Sequence, residues 1–194
     1  MKESDLRPWE TLSKEVILNP NKFLTVENHV VKLPDGQIIP DWSWLIIPSA
    51  VIVLAMTRDE KFLCFRQIKY AVEGTTLAPV GGMLESGEEP LAAAKRELLE
   101  ETGYAASDWI NFGGFILDPN RGIATIHLFF AMNAWKDAEP IVDDLEDQVL
   151  LMITRDELEA AYRAGEFKIL SWSAVVAMAL NYLSATNIIK VRNL

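Results

Sequence analysis

A chain of 194 residues, half of them hydrophobic and about a quarter charged, suits one globular domain with at most a small extension. The formal net charge of −10 argues against a basic nucleic-acid-binding surface, so we expect no nucleic-acid partner. The single cysteine excludes an internal disulfide. The sequence has neither an apolar signal core nor the roughly 20 consecutive apolar residues of a membrane-spanning helix. We therefore expect a cytoplasmic protein without a membrane partner.

Residues 1–48 are predicted to form a small β extension. Three short strands are expected, at 15–18, 24–33 and 37–47. The Asp35-Gly36 pair between the last two strands is a hairpin signal. Because so small a sheet has little core of its own, it must pack on the main domain or on another subunit.

The remainder, 49–194, mixes strands and helices without a regular βαβ repeat. Strands are expected at 50–56, 61–67, 77–81, 110–117, 123–133 and 149–153. Helices are expected at 90–102, 156–164 and 170–185. This mixture predicts an α+β fold or an α/β/α sandwich.

The helix predicted at 90–102 carries a cluster of acidic side chains. Glu97, Glu100 and Glu101 are spaced so that a helix places all three on one face. Carboxylates this close repel one another, and a hard divalent cation such as Mg²⁺ or Mn²⁺ relieves the repulsion. The pattern favours a metal site, although an acidic helix face is more often merely solvated.

Two features beside this cluster favour a site for metal and pyrophosphate. Arg96 precedes Glu100 by four residues and can pair with it, which would orient the carboxylates. Gly81 and Gly82 lie in the loop before the helix, where glycine lets the backbone approach a metal or a phosphate closely. A glycine-rich loop therefore leads into an acidic helix, as such a site requires.

The spacing of these residues resembles the Nudix box. The matching positions, separated by five, seven, one and one residues, are Gly82, Glu88, Arg96-Glu97-Leu98, Glu100-Glu101 and Gly103-Tyr104. From average composition, a chance match in a chain of this length is on the order of one in ten million. The sequence is thus similar to the Nudix hydrolases, which implies an α/β/α sandwich with a mixed sheet.

The resemblance also implies a role for each residue of the cluster. Glu97 and Glu101 are expected to be the principal metal ligands, Glu100 a ligand to a second ion, and the Gly81 backbone carbonyl a further ligand. The expected reaction is attack of water on a phosphorus of a diphosphate, with Mg²⁺ or Mn²⁺ activating the water and neutralising the leaving group. Glu100 and Arg96 are accordingly expected to support catalysis.

Outside the box, residues 9–183 resemble the ADP-ribose pyrophosphatase and nucleoside diphosphate sugar hydrolase branch. The segments that carry the likeness are Leu33-Pro34-Asp35-Gly36, Phe65-Arg66-Gln67-Ile68-Lys69-Tyr70, Pro119 and Ile126-His127-Leu128-Phe129-Phe130-Ala131. This likeness implies a nucleoside diphosphate sugar as substrate. It also implies a homodimer in which residues 1–48 cross to the other subunit, serving dimerisation or substrate capping.

The chain departs from that branch at two places. The stretch 118–125 lacks the glutamate that the branch usually carries there. The branch often has a catalytic glutamate in a late acidic loop, and the nearest candidates are Glu146 and Asp147, of which we favour Glu146 as general base. A solvated loop is the alternative for this acidic run. ADP-ribose, another ADP-sugar and a GDP-sugar all stay open as substrates.

Five residues are predicted to contact the substrate through their side chains. Arg66, Lys69 and Arg121 could bind phosphate, with surface solubility as the alternative. Trp42 and Trp44 alternate on a strand and so share a face, where they could stack on a nucleobase. Packing or a subunit interface is the alternative for the two tryptophans. Gly82 is expected to bring its backbone close to the substrate phosphate.

The sequence is compatible with three functional hypotheses. We favour an active diphosphatase that releases a nucleoside monophosphate and a sugar phosphate, since every box residue is present. The second hypothesis is a non-catalytic sensor of nucleotide sugars on the same fold. The third is a Nudix enzyme of another substrate class, such as a damaged-nucleotide sanitiser or an RNA decapping enzyme, and the acidic charge speaks against the latter.

Overall fold

The structure, a computed structural model, describes residues 3–141 and 147–192 and divides into two compact units. The first unit is Met1–Ser49 with Ile116–Thr125, and the second is Ala50–Phe115 with Ile126–Leu194. The internal segment Ile116–Thr125 therefore belongs with the N-terminal strands. This grouping was not predicted from the sequence.

The first unit contains the antiparallel hairpins that the sequence predicts. After a short 3₁₀ helix (Glu3–Asp5), the strands β1 (Glu10–Asn21), β2 (Leu24–Lys32) and β3 (Ile38–Ile46) form one sheet in that order. Asp35 closes the second turn by accepting a hydrogen bond from the Gln37 amide at 3.0 Å, and Gly36 adopts a φ of 93°. Glycine suits that turn because a side chain disfavours positive φ.

The remaining strands form a mixed sheet, and the described residues add three α-helices. The strands are β4 (Ala50–Thr57), β5 (Phe62–Ile68), β6 (Thr75–Ala78), β7 (Val80–Met83), β8 (Tyr104–Ala105), β9 (Asp108–Asp118), β10 (Ile123–Lys136) and β11 (Gln148–Ile153). The end of β9 and the start of β10 belong to the first unit. The order is β11-β5-β4-β10-β8, with β6 beside β5, β7 beside β4 and β9 beside β10. Strands β4 and β10 pair in parallel, whereas β4 and β5 pair antiparallel, so the predicted mixed sheet is confirmed.

Helices cover both faces of this sheet. Leu54 of β4 pairs with Phe130, whose ring centroid lies 6.2 Å from that of Tyr182 in the last helix. Val51 of the same strand pairs with Gly82, which lies against the first helix. Because side chains alternate along a strand, Val51 and Leu54 point to opposite faces. The fold is therefore the α/β/α sandwich that the sequence predicts.

Helix α1 (Pro90–Thr102) has the predicted bounds, and its buried stripe fixes it to the sheet. Ala93, Ala94, Leu98 and Thr102 are buried at helical spacing. Leu98 is fully buried, and truncating such a leucine to alanine typically costs about 2–5 kcal/mol. The helix ends at Gly103, whose φ of 71° places it in the left-handed region. Its exposed side is thereby held in a fixed orientation.

The remaining helices are α2 (Arg155–Arg163) and α3 (Leu170–Arg192). Thr154 and Glu157 form a reciprocal capping box at the start of α2. Helix α3 continues beyond the expected end at residue 185, because no glycine or proline interrupts it there. No helix in the described part of the chain is long and apolar enough to cross a membrane.

Candidate active site

Arg96 is the centre of an ion-pair network on α1. Its Nε and Nη2 atoms donate to the two carboxylate oxygens of Glu88, each at 2.9 Å. Its Nη1 atom donates to Glu97 at 2.8 Å and to Glu100 at 3.0 Å, and Nη2 also donates to the Met83 carbonyl at 3.1 Å. The predicted pairing of Arg96 with Glu100 is confirmed. One guanidinium therefore ties the loop before α1 to the helix.

Glu88 anchors this network in its charged form. The hydrogen bonds from the Arg96 guanidinium, aided by the Glu85 amide, lower the pKa of the Glu88 carboxyl to about 2. A carboxylate with this pKa stays ionised throughout the physiological range. Glu88 thus binds the Nε and Nη2 atoms of Arg96. The Nη1 atom is left to bind Glu97 and Glu100.

Glu97 lies deep in the site, with 12% of its side chain exposed. Burial raises the pKa of its carboxyl, and the hydrogen bond from Arg96 partly opposes this shift. A Cβ atom on Gly82 would overlap the Glu97 carboxylate. Gly82 is therefore required to make room for Glu97. Its predicted contact with a substrate phosphate stays a prediction.

Glu101 lies beside Gly81, at the sheet end of the cluster. The Gly81 amide points to the Glu101 carboxylate, with 3.4 Å between the nitrogen and Oε2. A Cβ atom on Gly81 would crowd Ile52 and the Val51 carbonyl. Gly81 is thus tightly enclosed and contacts Glu101 through its N–H. The metal contact expected of its carbonyl stays a prediction.

The charge and chemistry of these donors fit a divalent cation. Arg96 offers one positive charge to three carboxylates, which leaves two negative charges in excess among these four side chains. Carboxylate oxygens are the donors that Mg²⁺ and Mn²⁺ prefer. Within residues 3–141 and 147–192, no group of three or more His, Cys, Asp or Glu side chains is already arranged to hold an ion. Two of the predicted ligands, Glu97 and Glu100, are bonded to Arg96 instead.

A small polar cavity of about 110 Å³ adjoins Glu101. Its lining is largely polar and includes Gln67, Lys69 and Gln148, and Trp172 also borders it. Lys69, a predicted phosphate contact, therefore lies in the same cavity as a predicted metal ligand. That proximity favours its role with an anionic substrate.

Arg66 does not join Lys69. It lies on the other face of β5, next to a surface cavity lined partly by α2, and makes an ion pair with Glu166 at 2.7 Å. Side chains alternate along a strand, so position 66 faces the opposite side from position 67. Gln67 lines the same cavity as Lys69, and Arg66 therefore points away from it. The structure thus brings only one of these two predicted phosphate contacts to the carboxylate cluster.

The first unit contains an aromatic cavity of about 410 Å³. Its aromatic lining consists of Trp9, His29, Trp42 and Trp44, and Pro119 and Asn120 also contribute. Trp42 and Trp44 share a face, as their alternation predicts. A cavity of this kind has the flat apolar walls that a nucleobase needs for stacking.

Hydrogen bonds and ring contacts hold the tryptophans in place. Trp42 donates from Nε1 to the Asn120 carbonyl at 2.7 Å, and Trp9 meets the Trp42 ring edge-on at 5.0 Å between centroids. His29 stacks on Trp44 at 5.1 Å, and its Nε2 atom lies 2.7 Å from Oε2 of the buried Glu27. The rings are thus preorganised, which lowers the entropy cost of binding.

Arg121 also belongs to the first unit. Its Nη1 atom donates to Asp118 at 3.0 Å, and its carbonyl accepts a hydrogen bond from the Leu45 amide at 2.9 Å. The adjacent Gly122 has a φ of 66°, and a Cβ atom there would overlap the Trp44 ring. Arg121 therefore extends from a rigid turn, with 56% of its side chain exposed.

The structure adds four residues that the sequence did not single out for this site. Glu88 and Gln67 adjoin the carboxylate cluster, and Trp9 and His29 adjoin the two predicted tryptophans. Sequence signals exist for two of them, since Glu88 is a position of the box and strand alternation separates Gln67 from Arg66. Glu146, the favoured general base, lies outside the described residues.

The fold and this cluster together define a hydrolase of the Nudix type. The family model of the NUDIX domain matches residues 47–173, well over half of the chain. The chain therefore belongs to the Nudix family and is a Nudix hydrolase. Members of this family generally use divalent metal cations.

Known proteins similar to this chain narrow the type of hydrolase. The ADP-ribose pyrophosphatase of Bacillus subtilis (strain 168) is 30% identical over 174 residues, which cover 90% of this chain and 91% of that protein. The GDP-mannose pyrophosphatase of Escherichia coli (strain K12) is 26% identical over 191 residues, 92% of this chain and 96% of that protein. The chain is thus a Nudix hydrolase of the ADP-ribose and GDP-mannose pyrophosphatase type.

A solved structure supports the fold independently. The crystal structure of an ADP compounds hydrolase superposes with a TM-score of 0.77 and covers 93% of this chain and 97% of that one. Its sequence identity is 17%, so the likeness concerns the fold.

Proposed function

We propose that this chain hydrolyses the diphosphate bond of a nucleoside diphosphate sugar in a metal-dependent reaction, with ADP-ribose as the preferred substrate. The products are a nucleoside monophosphate and a sugar phosphate. The observation that carries the proposal is the carboxylate cluster around Arg96, directly beside the polar cavity that contains Lys69. The 30% identity to an ADP-ribose pyrophosphatase over most of the chain favours the substrate.

We assign the metal, Mg²⁺ or Mn²⁺, to Glu97 and Glu101, with Glu100 and the Gly81 carbonyl as further ligands. A cation held by these residues would supply activation of water and neutralisation of charge on the leaving phosphate. Arg96 holds Glu97 and Glu100 in position through hydrogen bonds of 2.8 and 3.0 Å, and a ligand held in this way loses little freedom on binding.

The cationic side chains serve the phosphates. Lys69 presents a point charge in the cavity next to Glu101, and Arg121 presents an exposed guanidinium in the first unit. Arg66 would first have to leave its ion pair with Glu166. Glu146 as the general base stays a prediction, as does the cytoplasmic location.

The aromatic cavity of the first unit is the proposed nucleobase site. Trp42 and Trp44, together with Trp9, offer stacking surfaces around a cavity of about 410 Å³. Base–aromatic stacking contributes about 1–3 kcal/mol per base and does not depend strongly on the base. This tolerance is consistent with relatives that act on either an adenine or a guanine nucleotide.

The first unit also supports a homodimer. All 12 residues of β1 are exposed, and Leu12, Val16, Ile17 and Leu18 are apolar members of that strand. A long exposed apolar edge strand is normally covered by another chain. We therefore propose that β1 pairs with a second copy of this protein.

A sensor of nucleotide sugars that binds without turnover is the second candidate. The absence of a glutamate from the stretch 118–125 favours it. The sensor and the hydrolase differ in one respect that is simple to measure. The sensor binds its ligand equally well with metal or with EDTA, and releases no product.

Turnover of a substrate panel separates these candidates. Purified protein is incubated with ADP-ribose, ADP-glucose and GDP-mannose, in Mg²⁺, Mn²⁺ or EDTA, and the nucleoside monophosphate is quantified by chromatography. We expect release from ADP-ribose with metal, loss in EDTA, and loss in Glu101→Gln. The control Glu139→Gln changes a glutamate side chain that is 94% exposed, and it should retain full activity. Binding without any release would support the sensor.

A further inference from the structure

Gln67 is a buried polar side chain that has no hydrogen-bond partner among the described residues. It is only 6% exposed, and no hydrogen bond joins its amide to any residue in the described part of the chain. In that same part, every side-chain nitrogen or oxygen that is inaccessible to solvent has a hydrogen-bond partner. The amide must therefore open onto the cavity beside Glu101, whose lining includes Gln67.

An unpaired amide in such a place is unfavourable for folding alone. Burial removes most of its contact with water, and none of the described residues replaces the lost hydrogen bonds. The neighbouring positions 65 and 63 of β5 are apolar and buried, so an apolar residue would suit position 67 equally well. The retained amide points to a ligand group that completes its hydrogen bonds.

The chemistry of the cavity favours a hydroxyl group over a phosphate. An amide both donates and accepts, which matches a hydroxyl, whereas a phosphate oxygen only accepts. The side chain of Gln148, a second amide, also lines the cavity. A largely polar cavity with amide groups in its lining is suited to a sugar ring, which presents several hydroxyls.

We propose that Gln67 binds a hydroxyl group of the distal sugar, the one attached to the phosphate remote from the nucleoside. This inference rests on the proposed function and deepens it. It makes Gln67 a specificity-determining residue that distinguishes nucleoside diphosphate sugars from diphosphate esters without hydroxyls. Because Glu101 borders the same cavity, the sugar occupies space next to the carboxylate cluster.

A pair of substrates isolates the sugar contact. ADP-ribose is compared with the β-methyl ester of ADP, which has the same nucleoside and diphosphate but no distal hydroxyl. For Gln67→Met, we expect kcat/KM for ADP-ribose to fall about 10- to 100-fold, since one buried hydrogen bond to a substrate hydroxyl is lost. The methyl ester should change by less than about twofold, because it makes no such bond. The control Gln37→Met alters an exposed turn and should leave both substrates unchanged.

Thermal unfolding without ligand tests a purely structural role. Methionine has a similar length and no unpaired amide, so the Tm of Gln67→Met should equal or exceed that of the wild type. A lower Tm, an equal loss on both substrates, or no loss on ADP-ribose would each overturn the proposal.

Calorimetric binding keeps the inference distinct from the proposed function. If the wild type turns over neither substrate, the hydrolase proposal fails, and the affinities of both ligands are then measured in EDTA. Weaker binding of ADP-ribose alone by Gln67→Met would support the sugar contact. Equal affinities of wild type and Gln67→Met for ADP-ribose would overturn it.

Discussion

At the level of single residues, the carboxylate cluster depends on side chains packed so closely that an added methyl group would not fit between them. Gly82 lies against the Glu97 carboxylate, and Arg96 donates a hydrogen bond of 2.8 Å to that carboxylate. The atoms that a Gly82 side chain would displace belong to the end of a flexible side chain. Glu97 can therefore move aside without disturbing the sheet, but it then leaves the cluster.

Gly82→Ala should consequently uncouple activity from folding. We expect kcat/KM to fall roughly 10- to 100-fold, the range for residues that orient metal ligands, while the Tm stays within about 2 °C of the wild type. Calorimetry and a Mg²⁺ titration of activity check both parts. Wild-type metal dependence in Gly82→Ala would show that the position of Glu97 does not matter.

Cys64 shows the opposite situation, a reactive group sealed by the core. Burial raises the pKa of its thiol to about 12, so at pH 8 roughly one thiol in ten thousand is ionised. We expect negligible labelling of the native protein by a disulfide reagent at pH 8, and rapid labelling of one thiol in denaturant. Fast labelling of the native protein would mean that β5 opens locally.

At the scale of elements, the end of α1 is fixed more tightly than that of a typical helix. Gly103 adopts a left-handed φ, and its carbonyl accepts hydrogen bonds from Asp137 and Ala138. A Cβ atom there would overlap the Ala138 carbonyl. Gly165, after α2, has nearly the same φ of 72° but open space around it.

These two glycines form a matched pair for mutation. Gly165→Ala should cost only the strain of a left-handed alanine, about 1–2 kcal/mol. Gly103→Ala adds a steric clash with backbone, which we expect to cost about 1–3 kcal/mol more. Denaturant unfolding of both variants gives the difference directly. Equal losses would mean that the loop at 137–138 moves aside freely.

Elements with strong local signals could be predicted from the sequence, and those set by distant contacts could not. The bounds of α1 follow from Pro90 and Gly103, and the strand β5 follows from its apolar run. The face on which Arg66 lies could have been deduced from alternation, but its pairing with Glu166 needed the tertiary fold. Helical spacing and the likeness to a family both indicated the carboxylates, whereas Trp9 was identified only from the cavity that it lines.

At the scale of the whole molecule, β1 is the strongest sign of a second copy. Its apolar residues would be poorly tolerated on an isolated chain. The double variant Val16→Lys, Ile17→Lys should therefore shift the mass in light scattering from about two chains to one chain of 21.8 kDa. Gln37→Lys, which adds a charge in an exposed turn, is the control. A dimer that persists in the double variant would exclude β1 as the interface.

If the carboxylate cluster gives this chain a metal-dependent diphosphatase activity, ³¹P NMR of ADP-ribose should reveal it. With Mg²⁺ and wild-type protein, the two diphosphate resonances should give way to two monoester resonances, and EDTA should prevent the change. Glu97→Gln should likewise leave the diphosphate intact. Persistent diphosphate resonances with wild-type protein and metal, together with binding of ADP-ribose in EDTA, would show that the carboxylate cluster does not support hydrolysis.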